Sequence, residues 1–301
     1  MRRAKTVSLL LALSCLMFTS SAWADGFVLT GSKWEPGPGS ASFFNPATPP
    51  GTPGSATWSL MPADIPIAYG DLPPYTAPDH SFGFLSDSMV GLTELPDVGG
   101  VPYEIWAIND ALNIWDAVSG FTNLGQVADG VSNGADGCDN VYNGCVDVGD
   151  IRIGAYPFNI SLDGHVILGH SFQPGTSALD PPYGSIGGDT HFNNDKNGTY
   201  PNQLTWVDHA YDPSGDPTYD FYTVVLHEMG HALGLDHSTD PNSVMALYHG
   251  GLRTLTADDI AGIQAIYGPQ DETPVIPEPG TLTLLGLGLG GRALAAWRRR
   301  K

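Results

Sequence analysis

Residues 227–237, His227-Glu228-Met229-Gly230-His231-Ala232-Leu233-Gly234-Leu235-Asp236-His237, constrain the fold of this chain more than any other stretch. Histidines four residues apart lie on one face of a helix, close enough to share a metal ion. Gly234 lets the backbone leave that helix, so His237 can approach the same ion from another direction. Three neutral imidazoles leave the fourth tetrahedral position open to water, which marks a catalytic rather than a structural zinc. Glu228, beside the first ligand, is placed to take a proton from that water and pass it to a leaving amine. Zinc acidifies the water and polarises the scissile carbonyl. Ordinary polar histidines on an amphipathic helix would account for the apolar run Tyr222 to Leu226. They would not account for three histidines at ligand spacing around a glycine.

The two ends read as addresses rather than as fold. Met1-Arg2-Arg3-Ala4-Lys5 is basic, Val7 to Phe18 is apolar, and small residues surround Ala22-Trp23-Ala24. This order predicts a secretory signal peptide over residues 1–24, cut after Ala24. Its apolar run is short of the roughly 20 residues that span a bilayer. At the other end Pro277-Glu278-Pro279-Gly280 precedes an apolar stretch from Leu282 to Trp297, interrupted by Arg292, and then Arg298-Arg299-Arg300-Lys301. That order suits a segment held in a membrane with its basic end on the cytoplasmic side.

Between the ends, residues 25–270 are one domain's worth of chain. They carry 29 acidic and four basic residues, a net charge near −25. Such a body repels phosphate backbones and anionic lipids, so nucleic acid is excluded as a partner. Aspartate-rich surfaces suit hard cations such as calcium, and they equally serve solubility outside the cell. Cys15 leaves with the signal peptide. Cys138 and Cys145 then form an even pair in an exported chain, which predicts a short disulfide.

Periodicity supplies a coarse outline. Residues 25–55 are rich in Gly, Pro and Ser with little periodicity, and residues 62–100 read as a long loop or insertion. Ala56 to Leu60, Asp150 to Gly154 and His165 to Phe172 read as strands. Ile105, Ile108, Ala111, Leu112, Trp115 and Val118 recur at helical steps, stopped by Gly120. Tyr219 to Leu233 predicts a helix ended at Gly234. A last helix starts at Thr256, with Asp258 and Asp259 in its first turn, and runs to about Tyr267.

The extended histidine motif resembles the metzincins, and its surroundings resemble the matrixin branch. Ser238 directly follows the third histidine, and Asp240-Pro241-Asn242-Ser243-Val244-Met245 places Met245 as the Met-turn methionine. Leu255 to Gly268 resembles the branch's closing helix, and Gly187-Gly188-Asp189-Thr190-His191-Phe192 falls in its order upstream. The resemblance is clearest over residues 56–268, within a domain set at 25–268. It implies an α+β, zincin-like fold: a twisted mixed five-stranded sheet with three helices and a horizontal substrate cleft. It also implies a zinc endopeptidase with His227, His231 and His237 as ligands, Glu228 as base, a protein or peptide substrate, and calcium as a further cation. The sequence leaves the oligomeric state open.

Departures from the branch are equally specific. Ala246-Leu247-Tyr248-His249 replaces the Tyr-Pro that usually lines the specificity pocket, and no Pro-Arg-Cys-Gly latency segment is present in the sequence. His170 and His191 match two of the four ligands of the branch's second, structural zinc. The loop for the other two is shortened, leaving Asp163 and His165 as imperfect candidates. Asn193-Asn194-Asp195 dilutes the acidic run behind the calcium expectation. Residues 269–301 resemble a linker and a PEP-CTERM sorting tail of exported bacterial proteins, which implies cleavage by an inner-membrane exosortase. The location implied is the cell envelope or the extracellular space. An alternative is an envelope or extracellular-matrix binding protein that keeps the metzincin fold without catalysis.

Overall fold

A computed structural model of the chain describes residues 26–38, 41–47, 49–62, 92, 95–129, 148–156, 161–162, 165–175, 187–194, 205–208, 218–247 and 254–270. The expected signal peptide, the Cys138–Cys145 pair, Asp163, Asp195, Tyr248-His249 and the sorting tail lie outside these residues.

In chain order the strands are β1 (Val28–Leu29), β2 (Ser32–Trp34), β3 (Ala41–Phe43), β4 (Gly54–Leu60), β5 (Phe121–Gln126), β6 (Ile151–Tyr156) and β7 (Ser161–Leu162). They continue with β8 (His165–Val166), β9 (Gly169–Ser171), β10 (Thr190–Asn193), β11 (Thr205–Val207), β12 (Thr218–Asp220) and β13 (Leu235–Asp236). Three helices are described: α1 (Tyr103–Ala117), α2 (Phe221–Ala232) and α3 (Ala257–Tyr267).

The main sheet has five strands in the order β5-β4-β6-β10-β9. Every pair is parallel except β10 with β9, which is antiparallel. This is the mixed five-stranded sheet with three helices that the resemblance implied. Strand β6 is buried along its whole length, as a strand covered on both faces must be. Even Arg152 is inside, where its guanidinium donates to both carboxylate oxygens of Asp129. The pairing sets Thr190 opposite Ser171 and His191 opposite His170. Successive residues therefore face opposite sides of the sheet at its β9 edge.

Helix α1 buries Ile108, Ala111, Leu112 and Trp115 of the stripe read from the sequence, with Ala107 beside them, while Ile105 and Val118 are partly buried against the core. It packs against α2, where the Trp115 indole donates to the carbonyl of Leu226. Helix α2 is buried nearly all round, which accounts for its almost unbroken apolar start. Asp220 caps it by accepting from the Thr223 amide. Helix α3 begins with a full capping box between Thr256 and Asp259.

Two expectations change. Residues 25–55 carry three short strands, and Trp34 among them is buried in the core. Strands of two or three residues are too short to leave a periodic pattern. The segment His165 to Phe172 is two strands rather than one, because β8 pairs with β7 while β9 pairs with β10.

Candidate metal centre

The C-terminal end of α2 is where the sequence motif becomes geometry. A helix end leaves its last carbonyls without helical partners. Here the Trp34 indole donates to Ala232 O at 2.9 Å, and the Tyr267 hydroxyl donates to Leu233 O at 2.8 Å. The Thr30 amide and hydroxyl both donate to Gly234 O. Gly234 has φ of +106°, and a Cβ there would fall 2.5 Å from Ser32 O, so only glycine fits. The turn sends the chain into β13, which pairs with β1 and delivers His237.

His227, His231 and His237 converge, each offering a ring nitrogen within 4.8 Å of the other two. The Nδ1 of His227 bonds Val244 O at 2.7 Å, and the Nδ1 of His231 bonds Leu235 O at 2.8 Å. Carbonyl partners at Nδ1 fix those rings as the tautomer that presents Nε2 as a ligand. The Nε2 atoms of His231 and His237 lie 3.3 Å apart. Two imidazoles of that tautomer, with His237 as a third, fit a tetrahedral zinc with one open position. Burial lowers the pKa of His237, against the opposing pull of Asp236, and so favours the neutral ligand form.

Beneath the cluster, Met245 is buried against α2. A Cβ on Gly230 would sit 2.3 Å from its Sδ, so the absence of a side chain at 230 admits the methionine. The turn that carries Met245 is anchored by Asp259, which accepts from the Val244 amide at 3.0 Å, the Met245 amide at 3.2 Å and the Ser243 hydroxyl. Asp258 accepts from the Gly26 amide at 2.6 Å, the Phe27 amide at 3.0 Å and the Ser238 hydroxyl at 2.6 Å. The N-terminal segment is thus tied to the residue after the third histidine.

Glu228 is 4% exposed and lies against β9. Burial pushes its carboxyl up to about 8, opposed by a hydrogen bond from Ser171. The other histidine pair lies on the opposite face of β9. His170 Nε2 is 2.8 Å from the Tyr156 hydroxyl and 3.3 Å from His191 Nδ1. Burial, then the nearby His231, lowers His170 to about 4. Burial, then His170 and Arg152, holds His191 well below its ordinary value. The structure therefore joins His170 to His191 and adds Tyr156. His165 lies in β8, and Asp163 is outside the described residues.

Sequence reasoning missed Trp34, Gly169 and Ser171, which meet α2 from other elements, and Tyr156, which meets the second histidine pair. It placed Asp258 and Asp259 as helix-dipole partners, whereas both also tie down the loop around the histidines. The capping pattern from Thr256 to Asp259 was the available signal for one of them.

Residues 153–268 match the family model described as Matrixin, and residues 275–301 match the PEP-CTERM protein-sorting motif. Matrix metalloproteinase-16 of Homo sapiens is 40% identical over 116 residues, covering 37% of this chain and 16% of that protein. The same values hold for matrix metalloproteinase-16 of Rattus norvegicus. Interstitial collagenase of Sus scrofa is 42% identical over 113 residues, covering 36% of this chain and 19% of that protein. The chain spans less than a fifth of the length of these curated relatives. Over residues 153–268 the chain is thus similar to the Matrixin family, and over residues 275–301 to the PEP-CTERM protein-sorting motif.

Proposed function

We propose that this protein is an exported zinc endopeptidase, with His227, His231 and His237 as the zinc ligands and Glu228 as the general base. The observation that carries the reading is the convergence of three histidine ring nitrogens within 4.8 Å beside a buried glutamate. When bound there, zinc would acidify a water molecule and polarise a peptide carbonyl. The chain's own residues do the rest. Val244 O and Leu235 O hold the first two imidazoles in the ligating tautomer. Glu228 receives a proton from the attacking water and returns it to the leaving amine. Burial alone would keep its carboxyl protonated at neutral pH, and a divalent cation at the neighbouring histidines favours the ionised form that a base needs.

Strand β9 ends the sheet order and lies against α2 at Glu228, a template along which an extended peptide can pair. The pairing of β1 with β13 supports a catalytic body that begins near residue 25, after removal of residues 1–24. The sorting motif supports export, with an inner-membrane exosortase acting on residues 269–301. Matrixin chemistry also admits calcium as a second cation.

The test is casein cleavage by the purified exported protein, before and after chelation and again after zinc is restored. The proposal expects cleavage that the chelator abolishes and zinc returns, with at least one zinc per chain. Cleavage indifferent to the chelator, or folded protein that takes up no zinc, would overturn it.

A further inference from the structure

Glu228 does not simply border β9; it is fitted to it. Gly169 and Ser171, two residues apart, face α2, while His170 between them faces Tyr156 and His191. A Cβ at residue 169 would lie 2.9 Å from Glu228 Oε1, 3.0 Å from its Cγ and 3.1 Å from its Cδ. A side chain at 169 would therefore require the Glu228 carboxylate to shift from its place beside β9. On its other side, Oε2 accepts from the Ser171 hydroxyl at 3.0 Å. Ser171 Oγ is in turn 2.8 Å from Thr190 Oγ1, which is fully buried and 3.2 Å from Gly188 O.

Each hydroxyl carries one proton: Ser171 gives its own to Oε2 and can accept that of Thr190, so the carboxyl is tied through two hydroxyls to the buried strand β10.

We propose that Ser171, backed by Thr190 and given room by Gly169, is a positioning residue that holds the Glu228 carboxyl against β9. The inference rests on Glu228 being the general base. The experiment compares wild type with Ser171→Ala, Ser171→Thr, Gly169→Ala and Glu228→Ala, all loaded with zinc and matched for zinc content. Ser171→Ala is expected to lower kcat about tenfold with KM unchanged, and Ser171→Thr to restore most of the loss. Gly169→Ala, which keeps the hydroxyl but pushes a methyl into the carboxyl, is expected to lose kcat in the same way. A crystal structure of zinc-free Ser171→Ala should show the Glu228 carboxyl turned away from β9. Full kcat in both Ser171→Ala and Gly169→Ala, with Glu228→Ala inactive, would overturn the positioning role alone. Wild-type cleavage by Glu228→Ala would instead remove the general base and the positioning role with it.

Discussion

Replacing Glu228 by Gln should stabilise the zinc-free protein, and by an amount that grows with pH. The folded carboxyl, buried at 4% exposure, is pushed up to about 8 from an ordinary 4.5. Between those values the unfolded chain has released a proton that the folded chain still holds. The stability of wild type therefore falls as pH rises through this window, and levels off above the folded value. At pH 8 the folded group is half ionised and the unfolded one fully so, which makes the cost about 4 kcal/mol. At pH 5 it is below about 1 kcal/mol. Gln cannot ionise and still accepts from Ser171, although its amide hydrogens need partners, so a net gain of roughly 2–4 kcal/mol remains at pH 8. The assay is urea unfolding of both proteins in chelator at pH 5, 6, 7 and 8. Every other titrating group is common to the two and cancels in the difference. A gap that opens steadily toward pH 8 is expected. A gap independent of pH, or a variant weaker than wild type at pH 8, would refute the burial argument for Glu228.

Three further outcomes follow from the same contacts. Gly230→Ala puts a Cβ 2.3 Å from Met245 Sδ and 3.1 Å from the Trp115 ring, so overpacking should cost about 1–3 kcal/mol and lower the melting temperature. Asp259→Ala leaves the buried amides of Val244 and Met245 without their carboxylate, which should cost roughly 3 kcal/mol and weaken zinc retention in a competition with a chromogenic chelator. In zinc-free protein, His170 is held near 4 against an ordinary 6.5. Its contribution is thus complete above 6.5 and lost as pH falls toward 4. His170→Gln should flatten that acid limb by up to roughly 3 kcal/mol in pH-dependent unfolding.

What the sequence revealed was what is local. Histidines on one helix and a glycine behind them announce their own geometry, because three or four residues of helix fix who faces whom. Helix α1 was legible through apolar steps such as Ile108, Ala111 and Trp115, and α2 through the apolar run from Tyr222 to Leu226 and the glycine that ends it. The family resemblance supplied the sheet. Its strand order β5-β4-β6-β10-β9 brings together residues far apart in the chain, which no periodicity encodes. The indole of Trp34 closes the end of a helix nearly two hundred positions away, from a strand of three residues. Gly169 and Ser171 matter through what α2 presents to them, so neither carries a signal within its own strand. The strand at Asp150 to Gly154 was legible, but not that its Arg152 lies inside with Asp129, where ion pairing offsets the cost of burying both.

The most direct test of the central claim is the cleavage rate of the Glu228→Ala protein, measured on casein while its bound zinc is counted. The account predicts zinc bound as in wild type and a rate lower by at least about 100-fold, the span of general-base catalysis. Cleavage at the wild-type rate with zinc in place would contradict it.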